Sequence, residues 1–375
     1  MSFLDVVSLP TFLLILNLLV FVHELGHFLA SRWVGVPVEE FALGFPPRLI
    51  GVVRDEHDQW RWFFGSKTPK LSEPRTIYSL NLLPIGGFVR PRGEEDPNVL
   101  GGFSSAPKRA RLAVLFAGPL FNLIFAFAVF TAAFMVGWPE EQTDRVMIAA
   151  LVEDGPAASA GVQVDDVLLQ IDTQTITTFD QTSEYIRSHL GQPVTFVVER
   201  AGEQLSLTVT PRTEWPEGQG PTGIQLGHPS VPVRYGLPTA LTRSAQEIYK
   251  QIDQLIHLPG QIVAGQISAE AARPCGPVCL NDLTRWVVSK AIERQNFTLI
   301  IQFIGLISVA LGTTNLLPIP ALDGGRILFV LIEAVRGRRL PPEREAMVNM
   351  VSMLLLLAFM AFITYQDVVN PLVPR

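Results

Sequence analysis

Cysteine is nearly absent: two of 375 residues, Cys275 and Cys279. That excludes a disulfide-built scaffold. No second Cys or His pair stands near them, which argues against a zinc knuckle. Charge is scarce as well, at 17% of residues, below the roughly 25% of soluble domains. With a net charge of −6 and no basic recognition motif, nucleic acid is excluded as a partner. The start, Met1-Ser2-Phe3-Leu4-Asp5, lacks a basic leader, and no small-x-small cleavage site follows the first apolar run. That run therefore reads as a retained helix and not as a signal peptide.

Apolar residues are abundant instead, at 48%, with a mean hydropathy of +0.30. Four stretches approach the roughly 20 residues that a bilayer requires: Leu9–Ala30, Leu112–Trp138, Phe297–Leu317 and Met347–Tyr365. The basic residues orient them. Residues 31–111 hold 12 Lys/Arg, whereas residues 139–296, twice as long, hold 11 Lys/Arg against 19 Asp/Glu. The short third connection adds Arg326, Arg336, Arg338, Arg339 and Arg344. The positive-inside rule then places the first and third connections in the cytoplasm. The N-terminus, the long second connection and the C-terminus fall outside.

The segments follow. Residues 1–35 form the first transmembrane helix. Residues 36–111 form a cytoplasmic, membrane-associated loop rich in β-branched and aromatic residues with Gly and Pro punctuation, which predicts short strands and hairpins. Residues 112–138 are the second span. From 145 to 211 the pattern is that of a small α/β domain, with strands at 146–152, 167–171, 194–200 and 204–210 and a helix at 178–190. Residues 212–296 are an extracytoplasmic segment whose stretch 237–265 carries apolar positions at helical spacing. The third span is 297–325, followed by a cytoplasmic loop at 326–346 and the fourth span at 347–369. On the outer side Cys275 and Cys279 are equally readable as a disulfide or as free thiols.

The chemistry lies in His23-Glu24-Leu25-Gly26-His27. On a helix this spacing puts two imidazoles one turn apart on one face, as a zinc site needs, with Glu24 placed to take a proton from water. Ionisable groups inside a membrane segment mark function. The extended form of the motif, with a further Gly and a third His, is absent, and His57, His189, His228 and His257 fall in connections. Asp323 is the better third ligand. It stands in Asn315-Leu316-Leu317-Pro318-Ile319-Pro320-Ala321-Leu322-Asp323-Gly324-Gly325, at the same cytoplasmic depth as His23 and His27. Two imidazoles and one carboxylate leave the fourth position for water. Pro318 and Pro320 should break the helix there, and unwound backbone at membrane depth is tolerated where it lines a wet cavity.

These motifs, with Gly118-Pro119-Leu120-Phe121-Asn122 between them and Leu83-Pro84-Ile85-Gly86-Gly87-Phe88-Val89 in the first loop, resemble the site-2 protease family of intramembrane metalloproteases. The bacterial branch with a PDZ insert, the regulator of sigma-E protease type, is the nearest, and residues 145–211 resemble that PDZ domain. The resemblance implies a polytopic α-helical membrane protein of about four transmembrane helices, with a cytoplasmic β-hairpin-containing loop and an inserted extracytoplasmic PDZ-like α/β domain. It also implies one catalytic Zn2+ held by His23, His27 and Asp323, with Glu24 as acid/base. Asn315 and Asn122, with Pro318, Pro320, Gly86 and Gly87, would line the site or hold substrate; helix packing is the alternative for Asn122. The expected activity is hydrolysis of peptide bonds in or near transmembrane segments of a single-span protein, such as an anti-sigma factor, in the bacterial inner membrane. Clearance of signal peptides, or a non-catalytic scaffold working through its PDZ-like domain, are the alternatives. The bilayer and a peptide ligand of that domain are the other expected partners. The pattern departs from the family at Gly44-Phe45-Pro46, where Gly-x-Gly is usual, in the single PDZ-like copy, and at the Cys275/Cys279 pair.

Overall fold

The structure, a computed structural model, describes residues 3–67, 75–94, 96, 98–216, 218–268, 272–339 and 341–372. Met1 and Ser2, read above for a leader, lie outside the described residues. The chain divides into two units: Met1–Val136 together with Gly236–Arg375, and Gly137–Tyr235.

The first unit begins with helix α1, Phe3–Trp33. Three antiparallel strands follow, β1 (Val38–Arg54), β2 (Trp60–Phe64) and β3 (Ile77–Pro91), in the order β2-β1-β3. Alternation of β-branched and aromatic residues favours this sheet. Its register sets Val52 opposite Trp62 on one side and Tyr78 on the other. Strand β3 is thus an edge strand, and it packs against α1. Helix α2, Lys108–Gly137, closes this half of the unit.

The second unit holds β4 (Trp138–Glu141), β5 (Val146–Leu151), α3 (Pro156–Ser159), β6 (Val167–Ile171), β7 (Gln174–Thr175), α4 (Phe179–Ser188), β8 (Val194–Arg200), β9 (Glu203–Val209), β10 (Ile224–Gly227) and β11 (Ser230–Val233). The main sheet runs β10-β5-β6-β8-β9, with β7 on β6, while β4 pairs with β11. Its core includes Val146, Ile148, Leu168, Ile171, Phe196 and Val198, all fully buried. Each such side chain contributes about 1.5–3 kcal/mol on burial. Thr178 caps α4 in a capping box with Gln181, fixing where that helix starts. The unit runs past the 145–211 expected for it. Strands β10 and β11 fall in what read as a helical segment, because each is four residues long and gains its partner from a strand far back in the chain.

The first unit resumes with α5 (Leu237–Val263), α6 (Pro277–Glu293), α7 (Thr298–Asn315), α8 (Asp323–Arg336) and α9 (Pro342–Val369). Four helices are long and apolar enough to cross a membrane: Val7–Trp33, Lys108–Gly137, Thr298–Asn315 and Glu343–Val369. Two differences from the expected layout matter. The third span ends at Asn315 and not at 325. Residues 326–346, expected as a loop, contain most of α8, an amphipathic helix whose Ile327 and Val330 pack on Val114 and Leu115 of α2. Arg111 of α2 also donates to the Glu333 carboxylate of α8 at 2.5 Å. Helix α6 packs on α1, α7 and α9, with Val287 joining Ile15, Leu19 and Phe303 in one buried cluster. Cys275 and Cys279 form a disulfide at the start of α6, where the Cys279 N–H donates to the buried Asp367 carboxylate of α9.

Candidate active site

Helix α1 presents His23, Glu24 and His27 to a cavity of about 240 Å³ whose walls also carry Phe88 and Val89 of β3, Val114 of α2, and Asn315, Asp323 and Arg326. Gly26, inside the motif, sets how closely α1 meets α2. A Cβ there would lie 2.4 Å from the Ala117 carbonyl oxygen and 2.8 Å from its carbon. Any side chain would therefore push the two helices apart. The close approach brings the Val114 carbonyl to 2.8 Å from His27 Nδ1. That carbonyl accepts the Nδ1 proton and leaves the Nε2 lone pair facing the cavity.

Three donor atoms converge there. His23 Nε2 and His27 Nε2 are 3.2 Å apart, and Asp323 Oδ2 stands 3.0 Å from the first and 3.3 Å from the second. A tetrahedral zinc shell with bonds of about 2.0–2.1 Å has ligand–ligand edges of about 3.3 Å. The donor set and its spacing therefore fit a zinc ion. No other cluster of this kind, three His, Cys, Asp or Glu donors converging, occurs among the described residues. Asp323 arrives as the first residue of α8, immediately after the Pro318-Ile319-Pro320 break. Gly118 of α2 lies opposite: a Cβ there would be 2.3 Å from His27 Nε2 and 2.8 Å from His23 Nε2. A methyl group there would crowd the Nε2 atoms of both histidines, where an ion they hold must sit.

Glu24 shares the cavity with these groups and stands beside the backbone of Val89 in β3. A profile of peptidase family M50 matches residues 11–64 and 60–359, most of the chain. The chain belongs to peptidase family M50. This is the site-2 protease family. Among its relatives, a protein of Agrobacterium fabrum strain C58, named as a zinc metalloprotease, is 32% identical over 95% of this chain and 94% of its own length. A protein of Campylobacter jejuni with the same kind of name is also 32% identical, over 95% and 91%. The zinc metalloprotease RasP of Geobacillus kaustophilus is 26% identical over 96% and 97%. Among solved structures, the PDZ domain of the SdrC-like protein of Listeria monocytogenes aligns with 23% of this chain and 92% of its own, at 20% identity and a TM-score of 0.20. Family membership and four apolar helices make this M50 peptidase a multi-pass integral membrane protein.

The structure brings His23, Glu24, His27, Asp323 and Asn315 together around the cavity. Asn122 is not among the lining residues; it is wholly buried behind His23. Pro318 and Pro320 lie in the α7–α8 connection, Pro320 in the wall of a second cavity of about 620 Å³ that shares Asp323 and Arg326 with the first. Gly86 and Gly87 lie in β3, where a Cβ on Gly87 would be 3.7 Å from Glu24 Cγ.

Sequence reasoning missed Glu94 and Arg326, which line both cavities and form an ion pair at 2.6 Å. Burial lowers the proton affinity of the Arg326 guanidinium, and the neighbouring Glu94 carboxylate more than restores it, so its pKa lies above the ordinary value. Arg326 follows Gly324-Gly325 directly, and only that adjacency would have flagged it.

Proposed function

We propose that the chain is an intramembrane zinc endopeptidase, with one Zn2+ held by His23, His27 and Asp323 and with Glu24 as acid/base. The observation that carries this is the convergence of the three donor atoms within 4.8 Å of one another, in a cavity whose wall includes Glu24. When bound, zinc supplies a Lewis acid that brings the pKa of water toward about 7 and polarises the scissile carbonyl. Glu24 accepts the proton of the attacking water and returns it to the leaving amine nitrogen. His27 is held in the productive tautomer by the Val114 carbonyl.

The substrate is a transmembrane segment of a single-span membrane protein, of the kind exemplified by an anti-sigma factor. An amide in an intact helix is hydrogen-bonded and crowded, so the segment must unwind. The edge strand β3, which passes Glu24 at Val89 and Gly87, offers main-chain partners to the unwound stretch. The PDZ-like unit takes a peptide by strand addition on the outer side of the bacterial inner membrane. The distribution of basic residues supports that orientation.

Detergent-solubilised wild type and Glu24→Gln are compared for zinc content and for cleavage of a single-span substrate. The expected result is equal zinc in both and cleavage by wild type alone. Cleavage by Glu24→Gln at the wild-type rate, or wild type without zinc, overturns the reading.

A further inference from the structure

Asn122 is separated from the cavity by His23, so its side chain is beyond the reach of a substrate. It is completely buried, and its backbone carbonyl accepts a hydrogen bond of 2.8 Å from Ser308 Oγ on α7. Its amide nitrogen lies 3.2 Å from His23 Nδ1, while its Oδ1 is buried with no hydrogen-bond partner. An orphaned amide oxygen in a packed helix interface costs about 1–3 kcal/mol and calls for an explanation.

We propose that Asn122 is a positioning residue that serves both proton arrangements of His23; this rests on the zinc reading above. With the proton on Nε2, His23 donates to Asp323 Oδ2, at 3.0 Å, and its bare Nδ1 accepts from the Asn122 amide. When Nε2 is given to a metal ion, the proton must sit on Nδ1, and that N–H needs an acceptor. Half a turn of the amide about Cβ–Cγ exchanges nitrogen for oxygen at nearly the same place. Oδ1 then gains the Nδ1–H as its partner, and the amide nitrogen gives up the contact it had with Nδ1. His27 is treated differently. Its Nδ1 faces the Val114 carbonyl, an acceptor only, which fixes a single tautomer. The site thus pairs one locked imidazole with one whose partner can reverse, so His23 stays hydrogen-bonded before and after the ion enters.

The test uses the full-length protein in detergent. Zn2+ affinity is measured by chelator competition, and the visible absorption of the Co2+-loaded protein is recorded, for wild type, Asn122→Asp, Asn122→Leu and Asn122→Ala. Asp keeps an acceptor for Nδ1–H, so Zn2+ affinity within about threefold of wild type is expected. Leu removes the acceptor at similar volume, and about 10–100-fold weaker binding is expected with altered cobalt bands. Ala removes it without bulk and gives the same direction if the Leu protein does not fold. Leu or Ala proteins that bind Zn2+ as tightly as wild type overturn the proposal. So does an Asp protein weakened as much as these, since packing and not the acceptor would then be at issue. Wild type that binds no Zn2+ overturns the zinc reading itself, and that outcome is distinct from the others.

Discussion

Gly118→Ala should abolish metal binding while leaving the membrane fold in place. Glycine to alanine inside a helix ordinarily gains about 1 kcal/mol, so intrinsic propensity works in favour of the variant. Space works against it. The added methyl carbon would lie 2.3 Å from Nε2 and 2.6 Å from Cε1 of His27, and 2.8 Å from Nε2 of His23. These separations fall about 1 Å short of the usual 3.5–4.0 Å contact between heavy atoms. Both imidazoles must withdraw, at a cost of about 1–3 kcal/mol for an overpacked site, which alone weakens an ion by about 5–150-fold. The methyl also stands at nearly the bonding distance of about 2.1 Å from Nε2 that a zinc ion would take, so exclusion of the ion is the expected result. Zinc is counted on purified protein by a colorimetric chelator, with Gly260→Ala as control, because a Cβ at position 260 meets nothing within 4 Å. Stoichiometric zinc of wild-type affinity in Gly118→Ala would refute the geometry of the donor set.

Asp323→Ala should lose both zinc and cleavage, whereas Glu24→Gln loses cleavage alone; zinc retained in Asp323→Ala would point to a different third ligand. In the second unit, Arg200 donates two hydrogen bonds of 2.7 Å to Asp166, whose side chain is fully buried. Arg200→Met should leave that carboxylate with the Gln163 N–H and destabilise the unit by about 3–5 kcal/mol. Limited proteolysis of the full chain, read as earlier cutting between residues 137 and 235, checks this, and an unchanged cutting rate would refute it. Arg111→Met should loosen α8 from α2 by stranding Glu333, and since α8 carries Asp323, zinc affinity should fall. Unchanged affinity would show that Val114, Leu115, Ile327 and Val330 hold α8 without the ion pair.

What could be read in advance followed local chemistry. The HExxH spacing fixes two imidazoles on one helix face whatever surrounds it, and Asp323 sits in a motif that carries its own helix breakers. Strands β5 and β6 announce themselves as short apolar runs, and β9 by alternation beside β8. Helix α6 did not, because 17 residues with Asp282, Arg285, Lys290 and Glu293 fall short of a span, and its place in the bundle comes from packing alone. Helix α8 carries two glycines directly after its first residue, Asp323, which oppose helix formation by propensity, and it is stabilised by burial against α2. Glu94 and Arg326 are 232 residues apart and have no local signature as a pair. The Val114 carbonyl is invisible in principle, since every residue carries one and only its position against His27 gives it a role.

His23 and Asp323 stand 300 residues apart, and the whole second unit lies between them in the chain. Synthesis at about 5–20 residues per second separates the first two donors from the third by about 15–60 s. Throughout that interval the nascent chain owns Glu24 and two imidazoles without the carboxylate that completes the set. A site made of these three donors is therefore completed only after α1, α2 and α7 have been made, with α8 and α9 still to follow. Ribosomes that stop early release fragments that lack the third donor. The order of the donors along the chain thus keeps the metal set one carboxylate short until nearly seven-eighths of the protein has been made.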